Sequence, residues 1–207
     1  MAGRDLRTVV NDVQVRVQQN VRLPQGYRVE YGGQFESEAQ ASTQLLWMSV
    51  GVIVAIFFLL SSAFGSSRDG LLIMLSLPLA LIGGVLGVYL MGGVLSVASI
   101  VGFITLFGIA TRNGIMLVSH ITHLREQEGE LDFHRAVVRG ATERLVPILM
   151  TALAAGLALV PIAMSAGEAG SEIQAPMATV ILCGLMSSTA LNMIVVPVLY
   201  DRFGRRA

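Results

Sequence analysis

Thr105-Leu106-Phe107-Gly108-Ile109-Ala110-Thr111-Arg112-Asn113-Gly114-Ile115-Met116-Leu117 is an apolar segment with a single cation near its centre. It belongs to a run from Leu95 to Ser119 that is long enough to cross a bilayer as a helix. A helix rises about 1.5 Å per residue and a hydrocarbon core is about 30 Å thick. A charge inside such a run costs about 2.5 to 3.5 kcal/mol on the insertion scale, so it is expected to face protein or water and not lipid. Its helical neighbours Thr105, Gly108 and Ser119 make a small, polar face that suits an inward-facing, close-packed surface. Three readings of Arg112 stand at this point. It is a counter-charge to an acid, a structural ion pair, or a side chain some eight residues from the inner end that snorkels to the headgroups.

Four more apolar runs flank this one, from Leu45 to Phe64, Gly70 to Met91, Leu145 to Met164 and Ile173 to Tyr200. With 54% hydrophobic residues and a mean hydropathy of +0.69, the chain is too apolar for a domain whose surface is largely solvated. The expected fold is an all-α transmembrane helix bundle of five spans, residues 43–207, with a small α/β remnant at residues 1–42. Fourteen basic residues balance fourteen acidic ones, so charge gives no reason to expect a nucleic-acid partner. All the basic residues are arginine, which suits a GC-rich genome as well as any functional demand. The one cysteine, Cys183, lies in an apolar run and reads as a small buried hydrophobe.

Charge asymmetry orients the spans. The connections after spans one and three, with the C-terminal tail, carry Arg68, Arg125, Arg135, Arg139, Arg144, Arg202, Arg205 and Arg206. The connections after spans two and four carry only Glu168 and Glu172. The positive-inside rule therefore puts the C-terminus in the cytoplasm and the N-terminal 42 residues outside. In the N-terminal segment Leu6, Val9, Val10, Val13, Val17 and Val21 recur at helical spacing. Leu23-Pro24-Gln25-Gly26 breaks that helix, and Tyr27, Val29 and Tyr31 alternate with charges as in a half-buried strand. One helix and one strand bury no core of their own, and no signal peptide precedes them. The expectation is that the natural protein extends upstream of Met1.

The connection from 121 to 143 holds, or adjoins, His120, His123, Glu126, Glu128, Glu130, Asp132 and His134. Imidazoles and carboxylates are metal ligands, but the acids are spread around the helix, as on a solvated interfacial segment. Arg144 and Thr151, seven residues apart, share one face of span four and can extend a hydrogen-bonded path from Arg112. Each also has a plain reading, as an anchor at the membrane edge and as a hydroxyl bonded back to its own helix. No Asp or Glu is expected within any span, so a proton-coupled mechanism needs acids from elsewhere, because arginine stays protonated. Gly83, Gly84 and Gly87, with Ala154, Ala155, Ala158, Gly184 and Ser188, form small-residue stripes for helix packing. Pro78, Pro161 and Pro197 are expected to kink their helices. The ten methionines read as gap fillers more readily than as a soft-metal relay.

Several motifs together resemble a known family. Leu23-Pro24-Gln25-Gly26-Tyr27 through Tyr31-Gly32-Gly33-Gln34-Phe35-Glu36 is similar to the close of the second periplasmic porter domain in heavy-metal efflux pumps of the resistance-nodulation-division superfamily. Gly3-Arg4-Asp5-Leu6, Phe64-Gly65-Ser66 with Arg68-Asp69, Pro78-Leu79-Ala80, and Gly108 through Gly114 add to it. So do Arg144-Leu145-Val146-Pro147-Ile148-Leu149-Met150-Thr151 and Pro197-Val198-Leu199-Tyr200. The resemblance implies a C-terminal portion of a twelve-helix permease, spans eight to twelve, working as a homotrimer with a periplasmic adaptor and an outer-membrane channel. It implies metal-cation export by proton antiport, with the titrating acids on a fourth helix that is not among these five. Arg112, Asn113, Arg144 and Thr151 become the candidate relay residues, and no catalytic, cofactor or resident-metal residue is implied. A lysine stands at the position of Arg112 in the drug-exporting branch, and an acidic or neutral residue in several metal exporters. A drug-exporting permease, and a truncated or accessory membrane protein that transports nothing, remain the alternatives.

Overall fold

The structure, a computed structural model, describes residues 6–21, 24, 29, 34–93, 95–129, 132–168 and 170–204. These hold helices α1 (Leu6–Asn20), α2 (Gln34–Ala63), α3 (Ser67–Met74), α4 (Ser76–Leu90), α5 (Val97–Glu126), α6 (Phe133–Met164) and α7 (Gln174–Phe203), and no strand. Five spans are long and apolar enough to cross a membrane, with α3 and α4 forming one of them, as the hydropathy pattern predicts. The expected turn at 23–26 and strand at 27–31 lie outside the described residues, apart from Pro24 and Val29. The amphipathic pattern of α1 does form a helix, but Val13 on its apolar stripe is 46% exposed.

Local chemistry sets the helix ends. Ser66 Oγ accepts from the Asp69 amide at 3.4 Å, Ser96 Oγ from Ser99 at 3.2 Å, and Asp132 Oδ1 from His134 at 3.0 Å, each satisfying a donor that the first helical turn leaves free. Gly92 and Gly129 hold φ of +100° and +72° in the connections after α4 and α5, a region that costs glycine little. The cap at Ser66 corrects one expectation, because it starts α3 at Ser67 and brings Asp69 into the second span. Asp69 is 5% exposed and acts electrostatically on the Tyr200 phenol of α7. Hydropathy places the edge at Gly70 because a capped polar turn adds no apolar residue.

The second span is interrupted at Leu75, between α3 and α4. Pro78 has no N–H for the carbonyl four residues before it, which frees the ladder at this point. Ser76 Oγ, beside this break, donates to the Ala110 carbonyl of α5 at 3.4 Å. The segment from 121 to 143 comprises the end of α5, a turn, and the start of α6.

The packed centre is α7, which lies against α4, α5 and α6. One apolar cluster gathers Leu117, Val118, Ile121, Ala136, Val137, Val196 and Tyr200, and a second gathers Leu77, Ala80, Phe103, Leu106, Phe107 and Val180. Glycine permits the closest crossings. A Cβ on Gly83 would overlap Ser187 Oγ and the Cys183 carbonyl, and one on Gly184 would overlap Leu106. On Gly87 it would stand 3.0 Å from the Thr179 carbonyl. The alanine stripe of α6 plays no such part, since Ala154 and Ala158 are exposed and none of the most apolar window of α6 is buried.

Gly83→Ala is therefore expected to lower stability by about 1 to 3 kcal/mol through overpacking of the α4–α7 contact. Gly108→Ala, whose added Cβ meets nothing within 4 Å, is expected to leave stability unchanged or raise it by up to about 1 kcal/mol. Unfolding of both variants in mixed micelles checks this, and equal losses would show that the crossing is not the constraint.

Candidate functional site

Arg112 falls at the middle of the thirty-residue α5, with roughly fourteen residues, about 21 Å of helix, between it and Glu126. The helix thus continues past Ser119, where the apolar run ends. Its side chain lies on an open face with Val101, Thr105, Gly108, Met116 and Ser119, all exposed. Thr105 Oγ1 donates to the Val101 carbonyl at 2.9 Å, so its own helix satisfies it. The small, polar face thus packs against no other helix among the described residues, and Arg112 forms no ion pair among them.

The neighbouring side chain takes the other direction. Asn113 is 5% exposed, turned into the junction of α5, α6 and α7, where it lines a small cavity with Ile148 and Asn192. Arg144 is half-buried on α6, its Nε enclosed without a hydrogen-bond partner. Thr151, two turns further along, is exposed and donates to the Ile148 carbonyl at 2.9 Å. No hydrogen bond joins any two of Arg112, Asn113, Arg144 and Thr151.

Further polar groups lie in the interior, of which the sequence reading singled out Ser188 alone, and only as a small packing residue. Ser76, Ser99, Thr111, Ser188, Thr189 and Asn192 are all buried, and Thr111 Oγ1, Thr189 Oγ1 and Asn192 Oδ1 have no partner. The signal was present, because an asparagine in an apolar helix deserves the same question as an arginine. At the arginine-rich end, the histidines and acids pair one with another. His120 Nε2 meets Glu143 Oε2 at 2.7 Å, Arg139 bridges Glu143 at 2.8 Å and Glu128 at 2.9 Å, and His134 Nδ1 meets Asp201 at 3.1 Å. The His120 and His123 rings stack with centroids 6.4 Å apart. Among the described residues no three His, Cys, Asp or Glu side chains converge as a metal site would require, and Glu130 lies outside them.

Five apolar spans with a polar interior and a central cation that meets no acid among the described residues define a polytopic membrane protein. The chain belongs to the AcrB/AcrD/AcrF family, whose model matches residues 1–204. It is 42% identical over 198 residues to the cobalt-zinc-cadmium resistance protein CzcA of Cupriavidus metallidurans, a match covering 96% of this chain and 18% of that protein. It is 45% identical over 206 residues to protein HelA of Legionella pneumophila, covering 99% of this chain and 19% of that protein. A crystal structure of a heavy metal efflux pump superposes with a TM-score of 0.78 at 39% identity, over 97% of this chain and 19% of that one. The chain thus spans about a fifth of the length of these relatives. The resemblance drawn from the motifs, to heavy-metal efflux pumps of the resistance-nodulation-division superfamily, is borne out.

Among the described residues neither arginine is held in place by an ion pair, so neither is expected to stabilise the bundle. Arg112→Leu is expected to change stability by no more than about 0.5 kcal/mol. Arg144→Met removes a buried donor without a partner and is expected to be neutral or to stabilise by about 1 kcal/mol. Losses of several kcal/mol in denaturant titrations of the chain would reverse this and make the arginines structural.

Proposed function

We propose that this chain is the C-terminal part of the inner-membrane subunit of a proton-driven efflux pump that exports metal cations. The observation that carries the proposal is the open, small and polar face of α5 with Arg112 at its centre. A fixed cation there lowers the pKa of a neighbouring carboxylate while the two are paired and lets it rise when they separate. That is what coupling a proton to a conformational change demands, and it needs acids on a helix docked against this face. Arg144 and Thr151 lie on α6, which packs against α5, and Asn113 is turned into the bundle.

The metal assignment rests on the relatives, which include the cobalt-zinc-cadmium resistance protein CzcA and the nickel and cobalt resistance protein CnrA of Cupriavidus metallidurans. The arginine asymmetry of the connections supports a cytoplasmic C-terminus and a periplasmic N-terminus. By the same family relation the complete subunit works as a homotrimer with a periplasmic adaptor and an outer-membrane channel.

In the complete pump, Arg112→Ala is expected to return tolerance of zinc, cobalt and cadmium to that of a host without the pump, and Arg112→Lys to retain it. Growth across metal concentrations reads the result, with membrane abundance and trimer assembly measured alongside. Full tolerance in the alanine variant would remove Arg112 from the coupling, and tolerance to dyes in place of metals would move the protein to the drug-exporting branch.

A further inference from the structure

Beside the Arg112 face, where α5, α6 and α7 meet, the cavity lined by Asn113, Ala141, Ile148, Asn192, Met193 and Pro197 offers about 10 Å³ of space for a water molecule. That is room for one water and nothing larger. Two polar side chains belong to its lining. Asn113, 5% exposed, makes no hydrogen bond among the described residues. Asn192, 6% exposed, donates through Nδ2 to Ser188 Oγ at 3.1 Å, which leaves its Oδ1 without a partner. Met193 also lines the cavity. Pro197 lies inside α7 and has no N–H, so the carbonyl four residues before it has lost its helical donor.

An apolar cavity of this size stays empty, whereas a polar one with two to four partners holds water. Hydrocarbon supplies no donor or acceptor to groups like these, and a proline in a membrane helix is tolerated where something else satisfies the freed carbonyl. We infer that the cavity holds one ordered water, which accepts from the Asn113 amide and donates to Asn192 Oδ1 and the Met193 carbonyl. Three hydrogen bonds are the usual complement of a buried water. The water ties α5, one residue from Arg112, to the point in α7 where the backbone ladder is interrupted. Asn113 and Asn192 are then positioning residues that keep the two helices in step. The inference rests on the cavity and its polar lining, and it stands whether or not the transport proposal does.

The chain has four asparagines, Asn11, Asn20, Asn113 and Asn192, so the side-chain amides of a [15N]asparagine-labelled sample are assignable by single substitution. In the full 207-residue chain in nanodiscs, the Asn113 amide protons are expected to show a dipolar cross-peak to a long-lived water. Asn192→Leu is expected to abolish that cross-peak while the helical circular dichroism is unchanged. Pro197→Ala returns an N–H to the Met193 carbonyl, takes away one of the bonds to water, and is expected to weaken the cross-peak. It also decides the matter if the leucine variant fails to fold. A folded parent chain without the cross-peak would overturn the inference. So would a cross-peak of full intensity in Asn192→Leu or in Pro197→Ala, or a direct Asn113–Asn192 amide bond with no water.

Discussion

Inside a bilayer the helices gain little by burying apolar side chains, because lipid is as apolar as leucine, so what holds this bundle together is close backbone approach. The contact of α4 with α7 through Gly83 and Gly87 is where that approach is tightest. Dispersion between closely packed atoms is small per pair and large in sum. The remaining architecture follows from that contact. With α4 drawn onto α7, Phe103 and Leu106 of α5 fill the space beside Gly84 and Gly184, and α6 closes on α7 from the other side.

The same close packing separates two kinds of polar residue. Of those turned into the bundle, Ser76 bonds to a neighbouring helix and Ser188 and Asn192 bond to each other, while Thr111 Oγ1 and Thr189 Oγ1 are enclosed without a partner. Those on the outer face of α5 have no helix against them among the described residues. A single step along α5, from Arg112 to Asn113, crosses from one region to the other, because successive helical residues point about 100° apart. The family relation gives the open face its meaning, since the chain spans about a fifth of relatives that carry further segments. Polarity inside a membrane is expensive, and its concentration around one residue pair marks where the protein does something other than fold.

Some of this could be read from the residues alone. The five spans came from run length, and a kink in the second span from Pro78. The family emerged from motifs scattered over the whole chain and was matched over nearly all of it. The helices run beyond the apolar runs, because they continue through capped and charged turns that hydropathy does not mark. Asp69 was assigned to a connection for that reason. Asn192 was overlooked because one amide among leucines and methionines has no periodicity to draw attention to it.

The sequence by itself determined that the chain crosses a membrane five times as helices, since backbone hydrogen bonds in hydrocarbon have to be satisfied within each segment. It also determined that a cation lies within the third span, because that requires only counting residues along one helix. Which way each side chain points was decided by tertiary structure alone. Gly83 faces Ser187, Asn113 faces Asn192, and Arg112 faces away from both, because these directions depend on how helices distant in sequence are rotated against one another. That rotation is set by packing, a property of pairs of surfaces that no single segment contains.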